Sequence, residues 1–179
     1  MTEHQTKDGR TFFIRRPDEN DAEKIIQYSK VLFTSTDQVL TTIDEYGITI
    51  EEEKTWINNS LQNPSAITLV AEMNKEIVGL LFFGPLGKKK NCHTGEFGVN
   101  VHPDYQARGI GRALIKTLLN WAKENGRIEK VFLNVFATNT NAIELYKNLG
   151  FVEEGKHVKA IKQISGEYVD IIQMYVETR

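Results

Sequence analysis

A chain of 179 residues is long enough for one domain with its own core, and a formal net charge of −2 argues against a nucleic-acid binder that works through bulk positive charge. No apolar run approaches the ~20 residues of a membrane span, and the opening MTEHQTKDGR is too polar for a secretory leader. Cys92 is the only cysteine, so neither an internal disulfide nor a cysteine-based zinc site is expected, and the chain reads as a reduced, cytoplasmic, metal-free protein.

In chain order, Thr11–Pro17 predicts a short strand stopped by its proline. Asp18–Phe33 predicts a helix, with acids in its first turn and Ala22, Ile25, Ile26, Ser29 and Phe33 at helical spacing. Thr34–Gly47 is polar and irregular. Thr49–Leu61 predicts a second helix with Ile50, Trp56, Ile57 and Leu61 as its apolar set. Ala66–Gly84 predicts a hairpin about a tight Asn74-Lys75 turn, and Lys88–Asn91 a charged connection. Thr94–His102 predicts a strand ended by Pro103, and Gly109–Asn125 a helix with Ile110, Ala113, Leu114, Leu118 and Trp121 on one face. Lys130–Phe136 predicts a strand, Ala142–Leu149 a short helix, and Phe151–Ile161 with Glu167–Val176 a closing hairpin across Ser165-Gly166. The order gives about seven strands and four helices: an α/β arrangement of one mixed sheet flanked by helices, a single domain over residues 1–179.

The stretch Tyr105–Leu114, YQARGIGRAL, places two glycines where a helix begins. A dinucleotide fingerprint needs a third glycine, but Leu114 stands there, and no Gly-Lys-Ser/Thr follows for a phosphate loop of the Walker type. What remains is a strand, a turn with free amides and a helix N-terminus, which is either an anion site or a turn that merely needs glycine.

With the residues in hand, the chain resembles the GNAT superfamily of acetyl-CoA-dependent N-acetyltransferases. Gln106, Gly109 and Gly111 meet its first motif. Asn139, Ala142, Leu145, Tyr146, Gly150 and Phe151 meet its second, in the right order and separation. The opening IRRPDENDAEKI is similar to the family's first strand and helix, so the likeness covers nearly the whole chain.

The resemblance implies a mostly antiparallel sheet that splays into a V between the Thr94–His102 and Lys130–Phe136 strands. It also implies acetyl-CoA as cosubstrate, with its pyrophosphate on the backbone of Gln106, Ala107, Arg108, Gly109, Ile110, Gly111 and Arg112. The pantetheine arm would lie along Val99, Asn100 and Val101, with Gly98 as a bulge or close-approach residue. Asn139 and Ala142 would line the same arm. Tyr146 would protonate the departing thiolate; read from periodicity alone it is a core tyrosine. Glu96 is the candidate general base, set against an exposed strand glutamate. His93 and His102 are weaker candidates at strand ends. Lys88–Lys90 could reach a further phosphate or be simply solvated, and Asn141 with Glu144 reads as a capping pair. Relatives build an acceptor wall between the first two helices, where Asp37, Asp44, Glu45 and Tyr46 occur; Asp170 could orient the acceptor ammonium.

The implied activity is acetyl transfer to the primary amine of a small molecule, an amino acid or amine, by direct attack in a ternary complex. Protein N-terminal or lysine acetylation and a non-catalytic acyl-CoA sensor are the alternatives, with a nucleotide-binding protein further off. The expected partners are acetyl-CoA and the amine, without nucleic acid or membrane, and a homodimer lies within the reading.

Overall fold

The computed structural model describes residues 1–178. Its chain divides into two compact units, Met1–Gly84 with Gly98–Leu118, and Pro85–Phe97 with Leu119–Arg179. It is a mixed α/β fold of eight strands, mostly antiparallel, and four α-helices.

The first unit begins with β1 (Thr2–Gln5) and β2 (Thr11–Arg15), paired antiparallel. Strand β1 is not predicted from the sequence: the polar TEHQ without alternation hides a strand at the edge, where one neighbour suffices. A tight turn joins the pair, with Thr6 N donating to Arg10 O at 2.8 Å. Helix α1 (Ala22–Ser35) follows a 3-10 turn in which Asp18 and Asp21 form a capping box, and it buries Tyr28 and Leu32 beside the predicted Ala22, Ile25, Ile26 and Ser29. Helix α2 (Ile50–Gln62) starts at Thr49, whose side chain and that of Glu52 satisfy each other's backbone N–H.

Of the apolar set predicted for α2, Ile57 is fully buried and Trp56 packs against the same cluster, but Ile50 and Leu61 are exposed. Glu53 is buried in that helix instead. Strands β3 (Ile67–Met73) and β4 (Glu76–Pro85) form the predicted hairpin, with Asn74 and Lys75 both at positive φ, as a two-residue turn requires.

The hydrogen-bonded order in this unit is β1-β2-β3-β4-β5, where β5 is Thr94–Val101 and contributes its later residues. The first half of α3 (Ile110–Asn125) also belongs here. Ile25, Ile57, Val70 and Leu81 in this unit are shielded from water, each worth roughly 1.5–3 kcal/mol on transfer.

One ion-paired triad is set into this unit. Arg15 bonds Asp21 at 2.6 and 2.8 Å and also Glu72, through Nη2 and, at 2.9 Å, through Nε. Burial pushes the Asp21 carboxyl up, but Arg15 and the Asp18 N–H outweigh it and hold the pKa below the ordinary value.

The second unit holds the earlier part of β5, then β6 (Lys130–Phe136), α4 (Thr140–Lys147), β7 (Val152–Lys162) and β8 (Tyr168–Glu177), in the order β5-β6-β8-β7. The β5–β6 ladder is parallel and runs from Thr94↔Lys130 to Glu96↔Phe132; β6–β8 and β7–β8 are antiparallel. Val131, Leu133, Phe151 and Met174 are buried in this unit.

Candidate active site

After β5 the chain makes a 3-10 turn over Pro103–Tyr105, then enters the Gln106–Arg112 segment. Gln106 anchors it by donating from Nε2 to Val101 O at 3.1 Å. Ala107 and Gly109 have φ of +59° and +96°. Gly109 costs little there because it carries no Cβ. The Gly109 carbonyl accepts from Ala113 N at 3.0 Å, so α3 is capped by that residue. The N–H groups of Ile110, Gly111 and Arg112 therefore lie in the first turn of a 16-residue helix, where no preceding carbonyl of the helix reaches them. They point toward the positive end of its dipole. Arg108 serves a different end. Its guanidinium bonds Asp8 at 2.8 Å and lies 5.8 Å from the Tyr105 ring, while its carbonyl accepts from Lys7 N at 3.1 Å. Lys88–Lys90 are exposed.

Gly98 is a close-approach position: a Cβ there would lie 2.5 Å from a ring carbon of Phe82. The Phe82 ring in turn meets Trp56 edge-on at 6.3 Å. Val99, Asn100 and Val101 continue β5 at intermediate exposure.

In the second unit, the Tyr146 ring packs between Phe97 and Phe151, with centroids 6.0 and 5.9 Å away. The residue is buried, and burial pushes its phenol up to about 12. Helix α4 is capped by Asn139, whose side chain accepts from Ala142 N at 3.2 Å. The expected Asn141–Glu144 capping pair is therefore corrected by two residues: the helix starts earlier, at Thr140, and Asn139 takes the cap. Glu96 is exposed and accepts from Asn134 Nδ2 at 2.8 Å. Asp170 is tied to β7, pairing with Lys156 at 2.7 Å and accepting from Lys159 N at 2.7 Å; the Lys156 contact leads in holding its carboxyl below the ordinary range.

The segment between α1 and α2 is placed as follows. Asp37 and Asp44 are exposed, and Asp37 accepts from Gln38 Nε2 at 2.8 Å. Glu45 is spent on its own turn, accepting from Thr42 N and Oγ1 at 3.1 and 3.0 Å. Tyr46 is half-buried, its ring 4.8 Å from that of Phe33, and burial raises its phenol.

The residue missed by sequence reasoning is Glu53. It is 5 % exposed, its Oε1 has no hydrogen-bond partner, and burial pushes its carboxyl up to about 6. A signal existed: Glu53 stands four residues before Ile57 and three before Trp56, on the apolar stripe of α2. Its neighbours Glu51 and Glu52 disguise it as one more acid at a helix N-terminus.

Among the described residues no three His, Cys, Asp or Glu side chains gather as a metal site, and no helix is long and apolar enough to cross a membrane. Cys92 is exposed.

Residues 33–151 match the family described as the acetyltransferase (GNAT) family. The L-amino acid N-acetyltransferase AaaT of Escherichia coli is 30 % identical over 119 residues, which is 66 % of this chain and 73 % of that one. The spermidine N(1)-acetyltransferase of Vibrio cholerae is 32 % identical over 109 residues, 60 % of this chain and 61 % of its own length. A GNAT-family acetyltransferase from Streptococcus pneumoniae superposes with a TM-score of 0.90 at 25 % identity, covering 93 % of this chain and 99 % of that chain.

Proposed function

The chain belongs to the GNAT family of acetyltransferases and is an acetyl-CoA-dependent acyltransferase; from that premise we propose that it moves the acetyl group to a primary amine of a small molecule, an amino acid or amine, by direct attack. The observation that carries the reading is the N-terminus of α3. Three first-turn amides, with Gly109 at +96° ahead of them and nothing within 4 Å of where its Cβ would stand, form a cradle that suits a pyrophosphate. The E. coli amino-acid and V. cholerae spermidine relatives support an amine acceptor.

In this reading the pyrophosphate lies on the Gln106–Arg112 backbone, while Val99–Val101 hold the pantetheine arm and a β5 N–H steadies the oxyanion. The amine nitrogen attacks the thioester carbonyl, the C–N bond forms and the C–S bond breaks. The nitrogen's proton leaves to Glu96 or to water, and the Tyr146 hydroxyl protonates the sulfur. A phenol at about 12 is protonated at neutral pH and can still donate to a thiolate, whose conjugate acid lies near 8.5. Asn139 contributes mainly through the cap that fixes the start of α4. Arg108, held by Asp8, orders the turn rather than meeting phosphate.

Residues 1–179 act as one acetyltransferase domain in this proposal, in the cytoplasm, and a homodimer lies within it. The test is thiol release from acetyl-CoA with a panel of amino acids, polyamines and peptides. Turnover with a free small amine and intersecting initial-rate patterns are expected. Turnover confined to peptides would move the acceptor to protein, and binding of acetyl-CoA without turnover would make the chain a sensor.

A further inference from the structure

Two carboxylates lie among the buried polar groups, and they are treated very differently. Asp21, 4 % exposed, has Arg15 on both oxygens and the Asp18 N–H besides. Glu53, 5 % exposed, pairs with no cation and has an oxygen without a hydrogen-bond partner among the described residues. A buried carboxylate left in this state costs stability, since it has lost water and gained nothing in return. An aromatic residue lies beside it. Glu53's charge acts on the Tyr46 hydroxyl, and Tyr46 stacks edge-on against Phe33. Phe33 and Trp56 pack on the cluster that contains Tyr28 and Ile57. These side chains lie on or beside α1, the helix packed against α2. A buried carboxylate oxygen without a partner, beside the Tyr46 ring, has the chemistry to hold a cation through a charge-assisted hydrogen bond and cation–π attraction.

We propose that Glu53 is the anchor for an ammonium group of the acceptor, namely a nitrogen other than the one that attacks; this rests on the acetyltransferase reading above. The second half follows from the chemistry. The attacking nitrogen must be neutral, and a buried anion would hold it as the ammonium. A carboxylate used for binding therefore serves a nitrogen that remains charged throughout. The acceptor class is a diamine or polyamine, in which one amine is fixed and another reacts.

The test compares 1,4-diaminobutane with butylamine. For the wild type, calorimetry in the presence of CoA should show the diamine bound at least tenfold tighter, and the same preference should appear in KM. Glu53→Gln should raise the diamine KM at least tenfold and bring the preference near one, the loss falling on KM and not on kcat. Glu53→Leu, which replaces an orphan charge by an apolar side chain of similar size, should melt above the wild type and lose the preference as well. It carries the test if the glutamine variant folds poorly by circular dichroism. A loss carried by kcat for both amines would make Glu53 a base and overturn the anchor. So would an unchanged preference in both variants, or no binding of the diamine to the wild type. If the diamine binds in a Glu53-dependent manner but no amine is acetylated, the anchor stands and the transferase reading falls.

Discussion

Replacing Glu53 by glutamine should change how stability depends on pH. The side chain keeps its shape and loses its charge, so the comparison isolates ionisation. In the folded chain burial takes the carboxyl from 4.5 to about 6. The sign is that of a raised acid. Between those values the native state holds a proton that the unfolded chain has released, so stability falls as pH rises through the window. The cost is absent below 4.5 and complete above about 6. At 1.36 kcal/mol per pH unit, the interval corresponds to about 2 kcal/mol. For a domain of this size that is a Tm difference of about 4–8 °C. The phenols of Tyr46, on which Glu53 acts, and of Tyr28 do not ionise in this range, because burial raises both. The other carboxylates are common to both proteins and cancel in the difference. Melting both by circular dichroism at pH 4.5, 5.5, 6.5 and 7.5 reads it directly. The variant should gain on the wild type as pH rises, with most of the gain between 4.5 and 6.5. A gap that stays constant, or that widens toward acid, would refute the claim that Glu53 is buried without a partner.

Gly111→Glu should weaken acetyl-CoA binding by at least a hundredfold in calorimetry while circular dichroism stays native, because a carboxylate in the first turn of α3 repels the pyrophosphate. Unchanged affinity would remove the phosphate from that turn. Tyr146→Phe should lower kcat by roughly ten- to a thousandfold, toward the range of a positioned proton donor, with acetyl-CoA affinity kept; turnover within twofold would return Tyr146 to the Phe97–Phe151 core. Arg15→Met should destabilise the fold by about 3 kcal/mol in urea, since it leaves Asp21 and Glu72 without their shared cation. Loss of less than half of that would show the triad to be incidental.

Much of the fold is legible because local chemistry and tertiary structure agree. Thr49 and Glu52 announce the start of α2, and Asn74-Lys75 between apolar runs announces its hairpin. The first motif is legible for the same reason: a strand, two glycines and an amphipathic helix occur in that order. The failures share a cause. Strand β1 carries no alternation, and only its pairing with β2 makes it a strand. Ile50 and Leu61 match a helical period yet lie beyond the stripe that α2 buries. Asn139 and Asn141 are both good caps by composition, and the first helical hydrogen bond, not the residue type, chooses between them. Glu53 is the sharpest case. Burial belongs to the packing of α2 on its neighbours, and in a run of three glutamates the one hint of which turns inward is the spacing of Glu53 from Trp56 and Ile57.

The Asp8–Arg108 contact links residues a hundred positions apart. Through it the turn of the β1–β2 hairpin grips the middle of the Gln106–Arg112 segment proposed to hold the cofactor, with Lys7 N on the Arg108 carbonyl as a second grip. The segment's residues at positive φ are thus held in place before any ligand arrives, so the entropy of ordering them is not charged to binding. Strand β1 of that hairpin is polar and stands at the sheet's edge. Trimming the first ten residues, or fusing a bulky tag ahead of them, would then register as a weaker hold on acetyl-CoA in a protein that still folds.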